Sequence, residues 1–342
     1  MKPNDDSDDS DSDSGADASP PRYLAYLQLV RLPNVFTAIA DILMGYLFTH
    51  DSLDPAPVFA CLLASSTLLY MAGMVLNDVF DYEIDAKERP NRPLPSGRVS
   101  RTTASWLGFA MLFAGVLLGC VASVLAQDAR CGIVAAALAA AVVGYDRVLK
   151  RTPLGPLGMG LCRFLNVLLG MSTAITLDPL AGDAAVAWSG MHYIAAAGIG
   201  VYIVGVTWFA RKEAEMSKPA QLALGTLVMW AGIGLLAGLW NWSGELVGLA
   251  SMGGSPRNWY LFCGVLAFGI GWRFVLAVFD PRPPLVQSAV RHGIFSLIAL
   301  DAAVCAAARG LEPAVLQVIP WPVLILALLI PTMLLGRWVY AT

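Results

Sequence analysis

Four residues with oxygen-bearing side chains follow an apolar stretch of the chain. The segment reads LNDVFDYEID and places Asn77, Asp78, Asp81 and Asp85 in the pattern N-D-x-x-D-x-x-x-D. Steps of three and four residues put the aspartates on one face of a helix, where their carboxylates repel unless a cation lies among them. Mg²⁺ takes oxygen ligands and is commonly shared between one or two carboxylates and the phosphates of a substrate. The spacing therefore predicts a magnesium and diphosphate site.

A basic, proline-rich segment comes directly after these acids. It reads RPNRPLPSG, in which the prolines stiffen the loop and Arg89 and Arg92 are suited to bidentate contact with phosphate oxygens. The alternative is a solvated acidic helix end whose charge is balanced by Lys87, Arg89 and Arg92. The acids begin while the sequence is still apolar, in MVLNDVFDY, which favours the phosphate site.

The composition places this segment in a membrane protein. The chain has 342 residues, of which 57% are hydrophobic and 14% are charged, whereas soluble domains are roughly 45–50% apolar and about 25% charged. An ordinary soluble enzyme is thereby excluded. We find no nucleic-acid-binding motif and expect no nucleic-acid partner.

Ten apolar runs approach the roughly 20 residues needed to cross a bilayer. They lie at 24–49, 56–77, 104–126, 131–148, 156–176, 188–210, 219–241, 258–279, 286–308 and 317–339. The run at 286–308 carries Arg291, His292 and Asp301, which either line a cavity or tie helices together, since charged groups in a span face protein or water. A bundle of nine or ten spans is therefore predicted.

The loops differ in charge from one side to the other. Connections after the second, fourth, sixth and eighth runs carry most of the Lys and Arg, for example Lys150, Arg151 and Arg211. By the positive-inside rule these loops, the N-terminus and the acidic segment at 77–85 are cytoplasmic. The sequence thus predicts an integral, multi-pass protein of a cytoplasmic membrane.

The N-terminal residues have a different composition from the rest of the chain. Residues 4–18 contain seven of the 25 acids and no apolar run, so residues 1–21 are predicted to form a disordered acidic tail. Residues 22–342 are predicted to form one transmembrane domain. The six cysteines lie in or beside apolar runs without a CxxC pair, which favours packing roles over a zinc site or disulfides.

Two segments resemble the UbiA superfamily of intramembrane prenyltransferases. LNDVFDYEIDAKERPNRPLPSG resembles its first aspartate-rich motif, and RLPNVFTAIADILMG at 31–45 resembles its first helix. The resemblance implies an all-α bundle around a central cavity that opens to the cytoplasmic side and laterally to lipid. It also implies that Asn34 is a pocket residue.

A third segment, YDRVLKRTPLGPLGMGLCRFLN, resembles the family's Tyr and Lys-Arg segment and fifth helix. The resemblance implies that Lys150 and Arg151 hold diphosphate oxygens and that Arg163 and Asn166 lie in or beside the cavity. For Lys150 and Arg151 the alternative is a topology signal alone. Arg163 lies within an apolar run, where an arginine is costly and usually functional.

The chain departs from the family at the place of the second aspartate-rich motif. This segment reads TWFARKEAEMSKPAQLALG, with Glu213 and Glu215 but no aspartate. Glu213 remains able to ligate Mg²⁺, and Arg211 is suited to pair with phosphate; the alternative for the two glutamates is an exposed loop. The segment resembles a divergent bacterial branch associated with Ebo-type clusters, which implies a bacterial cytoplasmic membrane.

The resemblance implies an enzyme that uses Mg²⁺ to transfer a prenyl group from an allylic prenyl diphosphate to a small aromatic, macrocyclic or polyol acceptor in the membrane lipid. The metal ligands it implies are Asn77, Asp78, Asp81, Asp85 and Glu213. The catalytic residues it implies are Asp78, Asp81, Asp85 and Lys150. The substrate-binding residues it implies are Asn34, Arg92, Arg151, Arg163, Asn166 and Arg211.

Two other functions use the same features. One is transfer of a phosphoribosyl or similar group onto a polyprenyl phosphate, which product analysis distinguishes. The other is a carrier for a phosphorylated solute, which requires flux across sealed vesicles without chemical conversion. No inverted repeat is evident in the sequence, which disfavours the carrier.

Overall fold

The structure is a computed structural model that describes residues 22–174, 188–211, 216–244, 246–251, 255–311, 315 and 318–339. The described residues are helical, apart from connections and one isolated bridge between Val315 and Ile319. The α-helices are α1 Arg22–Leu29, α2 Leu32–Thr49, α3 Ala56–Phe80, α4 Tyr82–Glu88, α5 Arg101–Ala126, α6 Arg130–Arg147, α7 Gly155–Gly170, α8 Gly190–Ala210, α9 Pro219–Ala237, α10 Val247–Ser251, α11 Pro256–Phe279, α12 Pro283–Arg309, α13 Trp321–Ala327 and α14 Leu329–Val339. The predicted acidic tail at 1–21 lies outside the described residues.

Seven of the described helices are long and apolar enough to cross a membrane. They are α2, α3, α5, α8, α9 with its 3₁₀ extension to Trp242, α11 and α12. A helical backbone satisfies its own hydrogen bonds, which is why spanning segments take this form in lipid. The prediction of an all-α membrane protein is confirmed, whereas a total of nine or ten spans stays a prediction.

Two of the ten apolar runs do not form single helices. The run at 24–49 divides into α1 and α2 at Arg31, whose φ of 49° and ψ of 51° are left-handed. The run at 317–339 contains α13 and α14, which meet at Leu328. Apolar periodicity does not report either break, because hydrophobicity is insensitive to backbone dihedral angles.

Glycines let neighbouring helices approach closely. A Cβ atom on Gly205 of α8 would lie 2.2 Å from the backbone nitrogen of Met229, and one on Gly232 of α9 would lie 2.4 Å from that of Tyr202. The α8–α9 pair therefore packs backbone against backbone, as small residues permit in membrane bundles. By contrast, α5 is mostly exposed and presents large apolar side chains such as Phe113 and Val124 outward.

Replacing Gly232 with alanine is expected to destabilise the bundle by about 1–3 kcal/mol, because the new methyl group overlaps the backbone of α8. The matched control is Gly234→Ala on the same helix, where a Cβ meets nothing within 4 Å. The measurement is thermal unfolding in detergent. Unfolding is detected as labelling of the buried free cysteines Cys131, Cys263 and Cys305 with a thiol reagent. Equal midpoints for the two variants would contradict the close packing of α8 and α9.

The helix ends show which parts of the chain meet. At one end, Asp51 forms an ion pair with Arg309 and accepts a hydrogen bond through its carbonyl from Trp321 at 3.2 Å. The C-terminal ends of α2 and α12 are therefore neighbours, and these two helices run parallel. The opposite end holds the start of α2, the end of α3 and the connection between α6 and α7.

Candidate functional site

The acid-rich segment does not continue as one helix. Helix α3 ends at Phe80, Asp81 has φ −93° and ψ 4°, and α4 starts at Tyr82. Asp78 and Asp85 consequently lie on different helices, and the expectation that all three aspartates share one helix face is wrong. The physical reason is that Asp81 takes a turn conformation at the point where α3 ends, so the helical register is lost between Asp78 and Asp85.

Asp81 meets the connection between α6 and α7. The Lys150 ammonium donates to Asp81 Oδ2 at 2.7 Å and to Asn77 Oδ1 at 2.9 Å. The Arg151 guanidinium donates to Asp81 Oδ1 at 3.3 Å and to the Phe80 carbonyl at 3.1 Å. An amide oxygen and a carboxylate oxygen therefore converge on one cation. The structure thus brings together four of the predicted site residues, and their roles stay predictions.

Asp78 and Asp85 meet a second set of cations. Arg92 donates to Asp85 Oδ2 at 2.6 Å and lies 3.5 Å from Asp78 Oδ1. Arg31 donates to the same oxygen of Asp78 at 3.3 Å. Both carboxylates are buried, at 5% and 4% exposure, so the arginines compensate charges that have little water around them.

The two sets together form one polar mouth at this end of the bundle. Three carboxylates face four cations, namely Arg31, Arg92, Lys150 and Arg151. Among the residues the structure describes, no group of three or more acids, histidines or cysteines is close enough to hold a metal by itself. The excess of cations suits the mouth to an anion with several negative charges.

A buried polar cluster lies deeper between α2, α3 and α7. Arg163 donates to Asp41 Oδ2 at 2.8 Å and to Thr37 Oγ1 at 2.7 Å. Asn166 donates to the same Asp41 oxygen at 2.8 Å and accepts from Ser66 at 2.6 Å. The costly intramembrane arginine thus has a carboxylate partner, which is the usual arrangement for a charge at this depth.

Arg163 and Asn166 also face a cavity between α3, α6 and α7. The cavity has a volume of about 50 Å³, and its wall includes Tyr70, Tyr145 and Asp146. The Arg163 guanidinium lies 5.2 Å from the centre of the Tyr70 ring. The remaining wall is largely apolar and is formed by Leu69, Gly73, Met74, Leu138, Val142, Met159 and Cys162. Arg163 and Asn166 therefore lie beside this cavity, and their role in substrate binding stays a prediction.

The cavity and the polar mouth are joined through the end of α6. Tyr145 lines both the cavity and a surface cleft that contains Lys150, Thr207 and Arg211. Arg211 shares this cleft with Lys150, and it donates to the Thr152 carbonyl at 3.0 Å. A ligand in the mouth therefore has an apolar space directly beneath it.

One predicted residue lies away from this cavity, and the acids of the 213–215 segment are not described. Asn34 is half-buried on α2 and does not line the cavity just described; its carbonyl accepts from Thr37 at 2.7 Å. Glu213 and Glu215, the predicted replacements for the second aspartate motif, lie outside the described residues.

Sequence reasoning missed three residues of this region. Arg31 was not predicted as a site residue, and in the structure it has a left-handed backbone and donates to Asp78. Asp41 carried a signal as an acid inside an apolar run, but its partners are distant in sequence. Asp146 lies on the cavity wall and interacts electrostatically with Lys150, Asp81 and Arg31, and its Oδ2 has no hydrogen-bond partner among the described residues.

Comparison with known proteins identifies the family. The profile of the UbiA prenyltransferase family matches residues 38–286, which include α3, the cavity wall and every residue of the polar mouth except Arg31. This match covers well over half of the chain. The protein belongs to the UbiA prenyltransferase family.

Curated relatives of this UbiA-family chain include archaeal digeranylgeranylglyceryl phosphate synthases. The protein from Sulfurisphaera tokodaii is 32% identical over 148 residues, which are 43% of this chain and 51% of the relative. The protein from Ignicoccus hospitalis is 35% identical over 167 residues, or 48% and 49% of the two chains. The chain thus spans about half the length of the curated relatives it matches.

Solved structures share the fold. A digeranylgeranylglyceryl phosphate synthase structure has a TM-score of 0.58 at 18% identity and covers 85% of this chain and 99% of its own. A UbiA homologue from Archaeoglobus fulgidus bound to GPP and Mg²⁺ has a TM-score of 0.54 at 14% identity, with 80% and 99% covered. These likenesses confirm the predicted UbiA-like bundle.

Proposed function

We propose that this protein transfers a prenyl group from an allylic prenyl diphosphate, held as its Mg²⁺ complex, to a small acceptor within the membrane. The observation that carries the proposal is the convergence of Asn77 and Asp81 on Lys150 directly above an apolar cavity. A polar mouth over an apolar space matches the two parts of a prenyl diphosphate. The Archaeoglobus fulgidus homologue bound to GPP and Mg²⁺ supports this choice of substrate.

The oxygen donors of the mouth fit Mg²⁺ as a shared ligand. Asn77 Oδ1 and Asp81 Oδ2 already converge on a cation, the Lys150 ammonium. Mg²⁺ needs only one or two protein carboxylates when phosphates and water complete its octahedron. We therefore assign Asn77, Asp78 and Asp81 to the metal, with Asp85 and Glu213 as further proposed ligands. Bound Mg²⁺ supplies charge neutralisation to the diphosphate leaving group.

The cations of the mouth are placed to hold the diphosphate when Mg²⁺ is bound. Lys150 and Arg151, which pair with Asp81 in the structure, and Arg92 would donate to diphosphate oxygens. Arg211 approaches the same anion from the cleft that it shares with Lys150. Charge-assisted hydrogen bonds aimed at the leaving group stabilise the negative charge that develops as the ester bond breaks.

The transfer breaks the bond between the allylic carbon and the diphosphate oxygen, and the electron pair leaves with the diphosphate. The acceptor then forms a bond to that carbon and releases a proton. Tyr70 and Tyr145 on the cavity wall present aromatic faces suited to a carbocation-like centre. The apolar wall excludes bulk water, which protects that centre from hydrolysis. Arg163 and Asn166 are proposed to bind substrate at the inner wall.

The acceptor is proposed from chemistry shared with the relatives. Several curated relatives are named digeranylgeranylglyceryl phosphate synthase, a name that contains a glycerol derivative. Among the aromatic, macrocyclic and polyol acceptors predicted from the resemblance, this favours a polyol.

The mouth and residues 1–21 are proposed to face the cytoplasm, with residues 22–342 forming one membrane domain.

Product formation by the full-length chain tests the proposal. Purified protein in nanodiscs is given a series of prenyl diphosphates, lipid extract as acceptor, and Mg²⁺, and the products are identified by mass spectrometry. We expect a prenylated product and released diphosphate, both abolished by EDTA and restored by excess Mg²⁺. Conversion of a phosphoribosyl donor instead, or solute flux across sealed vesicles without any conversion, would contradict prenyl transfer.

A further inference from the structure

A second polar region lies in a groove between α11, α12 and α14. Three arginines line it, namely Arg273 of α11, Arg291 of α12 and Arg337 of α14. Its other wall residues are mainly apolar and include Leu266, Phe295 and Met333. The groove therefore combines guanidinium groups with an apolar surface.

The arginines gather at one end of the bundle. Arg273 lies near the end of α11 and Arg291 near the start of α12, and the short connection at 280–282 joins these two helix ends. Arg337 lies near the end of α14. Because α12 runs parallel to α2, the start of α12 lies at the end of the bundle that holds Arg31 and Asp78. This is the end to which the positive-inside rule assigns the cytoplasmic leaflet.

The charge of the groove is not neutralised by the parts of the protein that the structure describes. Within those parts, none of the three arginines forms an ion pair, and no acidic residue lines the groove. The Arg273 guanidinium donates a hydrogen bond to Ser288 Oγ at 3.3 Å, and this neutral partner does not compensate its charge. All three arginines are exposed. A charged side chain on a spanning helix normally pairs or marks a binding site.

The groove is distinct from the proposed transfer site. None of the residues that line it belongs to the polar mouth or to the cavity beneath it. The part of α12 that faces the bundle interior carries Asp301 instead, which interacts electrostatically with Asp41 and Arg163. Helix α12 thus separates the two regions.

We propose that this groove binds an anionic membrane phospholipid, with its headgroup phosphate on Arg273, Arg291 and Arg337 and its acyl chains along the apolar wall. Basic pockets between membrane helices on the cytoplasmic side are known to suit anionic headgroups. Guanidinium groups match phosphate oxygens in bidentate geometry. The apolar wall makes a lipid, and not a free phosphate, the complementary ligand.

Native mass spectrometry of the full chain in detergent tests this proposal, with phosphatidylglycerol and phosphatidylcholine supplied together. The wild-type protein is expected to retain phosphatidylglycerol in preference to phosphatidylcholine. Arg291→Gln with Arg337→Gln is expected to lower that retention by about tenfold or more, since each arginine near an anionic headgroup contributes several-fold in affinity. Arg147→Gln with Arg282→Gln is the matched control, because it removes two exposed arginines at the same end outside the groove.

A variant that keeps the charge tests the apolar wall. Ala299→Trp fills part of the wall and is expected to lower phosphatidylglycerol retention while leaving all three arginines in place. Equal loss in the control pair, or full displacement of the lipid by millimolar glycerol phosphate, would overturn the proposal. The proposal would also be overturned if the wild-type protein retained as little phosphatidylglycerol as the Arg291→Gln, Arg337→Gln protein. That result is expected if the acidic segment at 4–18 occupies the groove.

Discussion

Replacing Asp81 with asparagine is expected to lower the rate of prenyl transfer by about 10²–10³-fold, which corresponds to roughly 3–4 kcal/mol of transition-state stabilisation. Asp81 holds the first set of the polar mouth together, because it contacts Lys150 and Arg151 and converges with Asn77 on the Lys150 ammonium. The asparagine keeps the shape of the side chain. It removes the negative charge that we propose binds the metal and positions Lys150 and Arg151.

The measurement is diphosphate release at saturating prenyl diphosphate over a series of Mg²⁺ concentrations. If Asp81 is a metal ligand, the variant will need a higher Mg²⁺ concentration for half-maximal diphosphate release, in addition to having a lower maximal rate. The matched control is Glu83→Gln, a neighbouring acid whose side chain is 78% exposed and pairs with Arg101 outside the mouth. Unchanged turnover in Asp81→Asn, with normal protein in the membrane, would contradict the proposed site.

Replacing Asp41 with asparagine is expected to destabilise the protein by about 3 kcal/mol, because breaking a buried ion pair leaves an uncompensated charge. Asp41 is 0% exposed and accepts hydrogen bonds from both Arg163 and Asn166 through Oδ2. The loss is expected near the lower end of the range for such pairs, since Asp301 remains as a second acid close enough to interact electrostatically with Arg163.

The matched control is Asp301→Asn in the same pair of interacting acids. Asp301 forms neither a hydrogen bond nor an ion pair with Arg163 among the described residues, so its replacement is expected to change stability by about 1 kcal/mol or less. Thermal midpoints in detergent compare the two variants, and the double variant shows whether their effects are coupled. A larger loss for Asp301→Asn than for Asp41→Asn would refute the role of Asp41 as the counterion of Arg163.

Much of the candidate site was predictable because its residues are unusual where they stand. Asp78 and Asp81 begin where an apolar run ends, and Lys150 and Arg151 stand a few residues beyond the end of another. Placing both pairs on the same side of a membrane required only the charge of the loops. The structure brings Asp81 within hydrogen-bonding distance of Lys150, although their roles in catalysis stay predictions.

The parts that sequence reasoning missed depend on contacts between distant segments. The turn at Asp81 separates Asp85 from the helix of Asp78, and helical spacing gives no sign of it. Asp41 was visible as an acid in an apolar run, but its partnership with Arg163 spans two helices far apart in the chain. The basic groove likewise unites α11, α12 and α14, whose arginines look unrelated in the sequence.

A helical membrane protein with a polar, acid-rich end follows from the sequence alone. Hydrophobic run length and loop charge are local properties, and the bilayer acts on each segment separately. Which charges meet depends on the tertiary structure. Coulombic and hydrogen-bonding partners are set by distances of a few ångströms between helices, and those distances follow from packing, such as the close approach of α8 and α9 at Gly205 and Gly232.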